Sequence, residues 1–532
     1  MYKKVEISAL TILFIFAIYC TLIITGFWDE NFEMTMGRER LRYIFSLGSY
    51  ENFDFYNSKF YPGFYNTIAI FFTKMFPAKY ETEIWRLSHV LFSILSIFGI
   101  YKISSILFNK KLGKIVFVLC FLNPIFFGHM IMNSKDTIVV FAHIWTTYII
   151  LRYLQKQDIS HKSNNYIILA GLTIGLGTGV RLPFLITLLP LIIFTFLDIF
   201  FLKKIICRNF SLKKFSFHTL IVLTIAYLVT VSFWPQVHIN IFTEPLKLFL
   251  EQIRGDVFGV KWILFNGQIF DTGKLPVHYL FTNFLFKSPE YLLFSYLVFV
   301  CLIAFKIDYF NNEFASFKLK TLLVLLVVIF PFLYFVLIPY RVYDGLRLFL
   351  YIIPYFSIIP ALTLYYFLNN LNSALNKIVF IMFSGLFIYY LFVFISLTPF
   401  QYTYLNLLNG DFKKANEKFE NDYLSVSVKE LINQIPLKTN LISNKKITIA
   451  FCGVSHMSAR KQLDKLKGLK YVVEDIQNSD VEYVMMTNRA IEDRNNNTID
   501  NAITCFDKIP TKDIVNVKRR GLVLSAIRKK TP

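Results

Sequence analysis

The chain has little charge, little cysteine and none of the usual metal-binding patterns. Of its 532 residues 17% are charged, whereas 55% are hydrophobic and 18% are aromatic. The six cysteines contain no CxxC pair, and the eight histidines show neither HxxxH nor HExxH spacing, so nothing supports a structural zinc site. This composition excludes an ordinary soluble globular protein.

Long apolar segments are abundant instead. Windows of about 19 residues predict a polytopic α-helical membrane protein. Its eleven predicted spans are 5–27, 87–107, 114–131, 137–155, 165–180, 182–202, 217–234, 288–307, 320–340, 347–368 and 377–397. The first span is longer than the apolar part of a cleaved signal peptide, so it is expected to be retained.

The distribution of lysine and arginine predicts the orientation. An odd number of spans places the two ends of the chain on opposite sides of the membrane. Basic pairs such as Lys110–Lys111 and Lys203–Lys204 fall on the N-terminal side, which the positive-inside rule makes cytoplasmic. The outer loops 28–86 and 235–287 and the tail are therefore expected outside the cytoplasm, most simply across a bacterial inner membrane.

Two domains are predicted, a transmembrane domain at 1–397 and a small soluble α/β domain at 398–532. The tail contains a helical segment with Val428, Leu431 and Ile432 on one face, followed by β-branched runs at 446–451, 471–474, 481–486, 514–517 and 521–527. Cys452 and Cys505 lie in this tail and can pair in an oxidising compartment, although the sequence does not show whether they do.

Asp29 and Glu30 follow the first span directly. A span of about 20 residues crosses the hydrocarbon, so both carboxylates are expected at the outer interface, where an enzyme acting on a lipid-linked substrate would hold a base. The alternative is a helix end that carries charge only to stay hydrated. The polar helix predicted at 31–43 and the short apolar helix after Tyr61-Pro62-Gly63 are expected at the interface.

Further polar groups fall on the same face. The turn Asn133-Ser134-Lys135-Asp136 carries an acid that could instead be a simple helix cap. Arg181 lies between two apolar segments, where a charge is costly and indicates function, unless it reaches the interface as a snorkelling side chain. Arg341 and Arg347 flank Asp344, which can pair with either.

The order of these segments resembles the GT-C glycosyltransferases that use polyprenyl-phosphate sugars, the group of the protein mannosyltransferases and ArnT-like enzymes (family 39-like). The similarity continues through 265–268, 275–280, 287–289, 343–349, 399–402 and 419–423. This chain has Tyr61-Pro62-Gly63 where the group often has His-Pro-Pro or Lys-Pro-Pro, and Asn133-Ser134-Lys135-Asp136 where it often has Asn-Pro-Lys-Asp.

The resemblance implies an inverting transfer of a hexose or pentose from a polyprenyl-phosphate donor to a glycan, lipid or protein acceptor. Asp29 corresponds to the group's base, Glu30 and Asp136 are expected as supporting acids, and the expected donor contacts are Lys135, Arg181, Arg347, Tyr61 and Asp344. No particular cofactor is predicted, and a divalent metal bridging carboxylates and phosphate is left open.

Other functions are less consistent with this sequence. Nucleic acid is not expected as a partner because the basic residues, net charge +21, are interleaved with membrane spans. They fit contact with anionic membrane lipid or with the phosphate of a substrate, and charge alone does not separate the two. The main alternative is a lipid or saccharide transporter or flippase without transfer chemistry. A scaffold whose tail binds a partner is the third reading. The identities of sugar, acceptor and polyprenol, and the oligomeric state, are not predicted.

Overall fold

The computed structural model describes residues 2–24, 26–254, 259–338, 340–438, 446–492 and 502–530. Its first half contains α1 (Tyr2–Ile23), α2 (Glu30–Phe45), α3 (Phe64–Thr73), α4 (Glu81–Leu107), α5 (Lys110–Phe121), α6 (Pro124–Met130), α7 (Ser134–Lys156), α8 (Ser160–Val180), α9 (Phe184–Thr187), α10 (Leu189–Leu197), α11 (Leu212–Ser232) and α12 (Glu244–Arg254). The second half contains α13 (Tyr279–Lys287), α14 (Glu290–Glu313), α15 (Phe317–Leu337), α16 (Ile353–Phe356), α17 (Ile358–Asn369), α18 (Ala374–Ser396), α19 (Val428–Asn433), α20 (Ile435–Lys438), α21 (His456–Leu463) and α22 (Cys505–Lys508).

The helices confirm a multi-pass membrane fold. Each of the eleven predicted spans coincides with a helix or a broken helix. Within the described part of the chain, nine spans are long and apolar enough to cross a membrane, or ten if the bent pair α5–α6 counts as one. That pair turns by 69° because Asn123 caps α6 and Pro124 starts it. Of the eleven predicted spans, the one in α8 is the other that is not counted, because the first turns of this helix are polar.

Helix α8 packs closely against α7 and α11, and α7 packs against α4. Small residues permit the close contact between α8 and α11. A Cβ atom added at Gly171 would lie 2.6 Å from the Ile225 Cβ, and one at Gly175 would lie 2.6 Å from the Val229 Cβ. Glycines four residues apart give α8 a smooth face on which α11 rests, the usual device for close helix contact in lipid. This contact sets the position of Arg181, which follows α8.

The first outer loop has the predicted elements. The polar stretch forms α2, and the short apolar stretch after Gly63 forms α3, ten residues long and too short to span. Gly63 has a φ of +76°, and a Cβ there would overlap the Arg40 guanidinium. Only glycine fits this turn, which places the Tyr61 ring beside that of Phe32 in the first turn of α2, with ring centres 5.7 Å apart.

The tail contains the predicted sheet. Its strands β3 (Ile447–Cys452), β4 (Tyr471–Val473), β5 (Tyr483–Thr487), β8 (Asp513–Arg519) and β9 (Leu522–Lys529) correspond to the five predicted runs and form one sheet in the order β4-β3-β5-β9-β8. The pairs β3–β4 and β3–β5 are parallel, whereas β5–β9 and β8–β9 are antiparallel. Val428, Leu431 and Ile432 are buried, as their spacing predicts. Cys452 and Cys505 form a disulfide with Cα atoms 5.7 Å apart.

Two hairpins were not predicted. β1 (Trp262–Phe265) pairs with β2 (Gln268–Asp271) through Asn266 and Gly267, which both have positive φ, as a two-residue hairpin turn requires. β6 (Ala490–Glu492) pairs with β7 (Ala502–Thr504). The first hairpin belongs to the second outer loop, and the second adjoins the main sheet of the tail.

Candidate active site

Asp29 lies where the chain leaves α1 and starts α2. Its carboxylate pairs with the Arg347 guanidinium and lies 3.5 Å from Lys135 Nζ. The side chain is 25% exposed, whereas those of both cations are at most 6% exposed. Burial opposes ionisation of Asp29, but Lys135 and Arg347 outweigh it and hold the pKa of this carboxyl well below its usual range.

The turn before α7 brings a second acid to the same place. The Asn133 side chain accepts hydrogen bonds from the backbone N–H groups of Lys135 and Asp136 at 3.2 and 3.1 Å, so the helix starts at Ser134. Asp136 Oδ2 then lies 2.9 Å from Arg347 Nε, and its Oδ1 lies 3.1 Å from Arg181 Nη2. The cap therefore directs Lys135 and Asp136 toward the cluster.

Arg347 is shared among three carboxylates. Besides Asp29 and Asp136, it contacts Asp344, whose Oδ2 lies 2.9 Å from Nη1. Asp344 has a φ of +57°, a conformation that non-glycine residues seldom adopt and that clusters at functional sites. Of the two arginines that flank Asp344, Arg347 is thus its partner, whereas Arg341 lies 3.2 Å from Asp271 on the second outer loop.

Glu33 joins this cluster, although the sequence analysis missed it. It is fully buried, accepts a hydrogen bond from the Ser134 hydroxyl, and its Oε1 lies 3.6 Å from Lys135 Nζ. Burial raises the pKa of Glu33 to about 7, and the Lys135 charge only partly offsets this. The available signal was its position one helical turn after Asp29, which puts both acids on one face of α2.

Glu30 lies elsewhere. Its two carboxylate oxygens accept hydrogen bonds from Arg86 Nε and Nη2 at 2.7 and 2.9 Å, and both side chains are almost completely buried. Arg86 also donates to the Ile24 carbonyl at 3.0 Å. Adjacent helical residues point about 100° apart, so Asp29 and Glu30 serve different neighbours, and Glu30 does not join the Arg347 cluster.

A cavity of about 410 Å³ opens beside the cluster. One end is polar and is lined by Tyr61, Asp136, Arg181 and Arg347. Lys135 Nζ lies 4.5 Å from the centre of the Tyr61 ring. The Nε atom of Arg181 is buried and has no hydrogen-bond partner among the described residues, so this guanidinium retains capacity to bind a ligand.

Much of the remaining cavity wall is apolar, although Thr187, Gln252 and Arg341 also line the cavity. The apolar part is formed by the C-terminal half of α15 and by the segment that contains α9, with the lining residues Phe330, Pro331, Tyr334, Ile338, Pro183, Phe184 and Ile186. Outward-facing neighbours on the same two helices, Leu333, Leu337 and Leu185, are exposed. The cavity thus has a polar region with arginines and an apolar region between helices whose outer faces are exposed to lipid.

The carboxylates of the site are held by cations and not arranged around a metal. Among the described residues, no group of three or more His, Cys, Asp and Glu side chains is placed to hold a metal ion. Asp29, Asp136 and Asp344 each contact at least one arginine instead. The arginines of the site therefore suit an anionic ligand, which can compete with the carboxylates for their hydrogen bonds.

Residues 62–234 match the family model described as dolichyl-phosphate-mannose-protein mannosyltransferase. The chain is also similar to two solved structures of ArnT from Cupriavidus metallidurans. The apo form has a TM-score of 0.51 at 11% identity over 99% of this chain and 100% of that one. The form bound to undecaprenyl phosphate has a TM-score of 0.53 at 10% identity over 100% of both chains. No curated protein matches the sequence.

The match to the mannosyltransferase model over residues 62–234 indicates a glycosyltransferase, and the likeness to ArnT shows a shared fold. The predicted resemblance is confirmed, because the matched segment includes the Tyr61-adjacent turn, α7 and Arg181, and the ArnT fold extends over the whole chain. In this chain the Arg347 cluster is built partly from the matched segment, through Lys135 and Asp136, and partly from segments before and after it.

Proposed function

We propose that the chain transfers a sugar from a polyprenyl-phosphate donor to an acceptor outside the cytoplasm, with inversion at the sugar carbon and with Asp29 as the base. The observation that carries this proposal is the cavity, which has arginines at one end and an apolar cleft at the other. A lipid-linked sugar phosphate has the complementary shape and polarity. The ArnT structure that contains undecaprenyl phosphate supports the same class of donor.

In this proposal, Arg347, Arg181 and Lys135 bind the donor phosphate, and Tyr61 forms the adjoining wall. Guanidinium groups suit phosphate oxygens because they donate paired hydrogen bonds. As the bond from the sugar carbon to the phosphate oxygen breaks, the electron pair stays on that oxygen. The three cations stabilise the charge that develops there, so the leaving group needs no acid.

The base is Asp29. The acceptor hydroxyl or amine attacks the sugar carbon opposite the phosphate and gives its proton to this carboxylate. Before the donor binds, Arg347 and Lys135 hold the pKa of Asp29 low and make it a weak base. A phosphate that shares these two cations reduces their hold, which raises the basicity of Asp29 when the donor is in place.

The other predicted site residues take supporting places. Asp136 holds Arg181 and Arg347 in line with the cavity. Asp344 fixes Arg347 from the other side. Glu30, expected as a supporting acid, instead secures the start of α2 through Arg86.

The site and the tail lie on one side of the membrane in this proposal, and the boundary between domains falls near residue 397. Polar contacts between tail and first loop support a common side, for example Asn31 Nδ2 to Ser458 Oγ at 3.3 Å. The Cys452–Cys505 disulfide fits an oxidising, extracytoplasmic compartment, such as the outer face of a bacterial inner membrane. Cysteine labelling at position 29 from outside intact cells checks this.

The direct test is transfer by the purified protein. Polyprenyl-phosphate hexoses and pentoses are incubated with glycan, lipid and peptide acceptors, and products are followed by mass spectrometry. Replacing Asp29 with Asn is expected to lower turnover about 100- to 10,000-fold, the range for loss of a positioned base, with normal membrane insertion. Glu51→Gln changes an exposed carboxylate of the same loop and is expected to act like the wild type.

The same assay separates transfer from transport. A flippase would move the donor lipid across vesicles without forming product, and its rate would not depend on Asp29. If Asp29→Asn still formed product at the wild-type rate, Asp29 would not be the base. If the wild type moved lipid without forming any product, the proposed function would be wrong.

A further inference from the structure

Arg489 belongs to the tail, yet its guanidinium lies beside the Arg347 cluster. It sits between β5 and β6 and is 7% exposed. Its Nη2 lies 3.3 Å from Asp344 Oδ1, and its Nη1 donates to the backbone carbonyl of Tyr423. The guanidinium carbon lies 5.5 Å from the ring centre of Trp28, the residue before Asp29. One side chain of the tail thus contacts Asp344 and lies beside the residue that precedes Asp29.

The backbone around Arg489 is fixed on both sides. Asn488 Nδ2 donates to the Phe419 carbonyl at 2.6 Å, and the Asn421 N–H donates to Asn488 Oδ1 at 3.1 Å. The Ala490 N–H donates to Glu420 Oε1 at 2.7 Å. These bonds attach the segment 488–490 to the segment 419–421. Arg489 therefore has little freedom to choose another partner, and its contact with Asp344 is set by the fold.

Asp344 connects Arg489 to the site. Its two carboxylate oxygens are divided, since Oδ1 faces Arg489 and Oδ2 faces Arg347. A buried carboxylate requires full compensation of its charge. Without Arg489, Asp344 would keep Arg347 as its ion-pair partner among the described residues, with Lys287 as a further nearby cation. We expect the stronger demand on Arg347 to draw this guanidinium away from Asp29 and Asp136. With Arg489 present, Arg347 stays available to all three acids and to a ligand.

We propose that Arg489 is a positioning residue that the tail contributes to the active site, acting through Asp344 to set the orientation of Arg347. This inference rests on the proposed function, because Arg489 is proposed to control how strongly Arg347 binds the donor phosphate and Asp29. It gives the tail a definite part in the reaction. The sheet region then completes the site through a residue that does not itself line the cavity.

A double-mutant cycle tests the route through Asp344. Arg489→Gln, Asp344→Asn and the double variant are compared with wild type by kcat/KM for the donor. Each single change is expected to lower kcat/KM about 10-fold, and the double variant should be no worse than Asp344→Asn alone, because groups that act as one unit do not add. Losses that multiply would overturn the proposal, as would wild-type kinetics in Arg489→Gln.

Two further variants separate positioning from folding. Arg519 anchors the same domain to the end of α18, donating to the Thr398 carbonyl and to Glu430 at 2.9 Å each, without touching the cluster. Arg519→Gln is therefore expected to lower the unfolding temperature while keeping wild-type kcat/KM per folded molecule. Arg489→Lys keeps the charge and should recover part of the loss. Equal kinetic losses in Arg519→Gln and Arg489→Gln would mean that docking alone matters.

The outcome is distinguishable from failure of the proposed function. If the wild type makes no product, transfer itself is wrong. The cycle is then read from the affinity for decaprenyl phosphate measured on the same four proteins. Non-additive losses of affinity still support the route from Arg489 to Arg347. Additive losses, unchanged affinity in Arg489→Gln, or a wild type that does not bind this lipid overturn it.

Discussion

Two buried groups of ion pairs start from the same short segment after α1, and they share charge in different ways. Glu30 and Arg86 form a closed pair in which both carboxylate oxygens face one guanidinium. Arg347, by contrast, is divided among Asp29, Asp136 and Asp344, and it lines a cavity. The closed pair has no spare capacity for a ligand, whereas the shared group can exchange a carboxylate for a phosphate.

This contrast separates a structural role from a functional one without reference to sequence position. Asp29 and Glu30 are neighbours with the same charge, yet their carboxylates differ in exposure, 25% against 5%. A carboxylate that is partly open and held by cations can take part in exchange. A carboxylate that is sealed against one arginine stabilises the fold, and its removal leaves an uncompensated buried charge.

The largest effect is expected at the shared arginine. Arg347→Lys keeps the positive charge but cannot reach three carboxylates with a forked donor. We expect kcat/KM for the donor to fall about 100-fold, the cost of removing one preorganised donor from a developing charge, while thermal stability changes less than in a charge-removing variant. Steady-state kinetics and thermal unfolding on the same preparation check this, and a loss below 3-fold would show that Arg347 is not a phosphate contact.

The closed pair should behave in the opposite way. Glu30→Gln leaves Arg86 as a buried charge with a neutral partner, so we expect the free energy of unfolding to drop by about 3 kcal/mol. Activity per folded molecule should stay within about 2-fold of wild type, since Glu30 contacts neither the cavity nor Arg347. If Glu30→Gln instead abolished transfer in fully folded protein, the two groups would not be distinct. Chemical denaturation and active-site titration measure the two quantities.

Much of the fold follows from local patterns. The apolar runs of span length form helices, and the five β-branched runs form strands, near their predicted positions. The turn residues of the first loop separate its two helices as predicted. The order β4-β3-β5-β9-β8 depends on which edges pair, which strand propensity does not specify. The β1–β2 hairpin carried a signal, Asn266-Gly267 between apolar runs, whereas β6 and β7 are too short to stand out.

The candidate site was only partly accessible from sequence. The predicted topology places Asp29, Lys135, Asp136, Arg181 and Arg347 on one face of the bundle. Turns on the same side of a bundle lie near one another, so these residues are expected to be close. The topology does not tell which acid meets which cation, since that depends on the packing of α2 against α7. Glu33 could be predicted only from its helical spacing, one turn after Asp29. Arg489 has no local signal, because its role arises from the docking of a separate region.

The smallest effect concerns Glu33 and pH. Burial raises the pKa of Glu33 to about 7 from its ordinary value of 4.5. A raised pKa means that the folded state binds the proton more tightly than the unfolded state does. This contribution to stability is complete below pH 4.5 and is lost as pH rises through about 7. Glu33→Gln should therefore flatten the dependence of stability on pH between these values.

The same titration should tune donor binding. Below its pKa Glu33 is neutral, so Lys135 is balanced by fewer anions and is freer to bind phosphate; above it, Glu33 competes for Lys135. We expect the donor KM to rise about 3-fold between pH 6 and pH 8, the size of one weak ion pair. A phosphodiester donor keeps one charge over this range, so the change reports the protein. Glu33→Gln should hold a constant KM while Glu51→Gln keeps the wild-type slope. If the donor KM of Glu33→Gln still rose with pH, another group would be responsible for the titration. Lys135 would then be an ion-pair partner of Asp29 and not of an ionised Glu33.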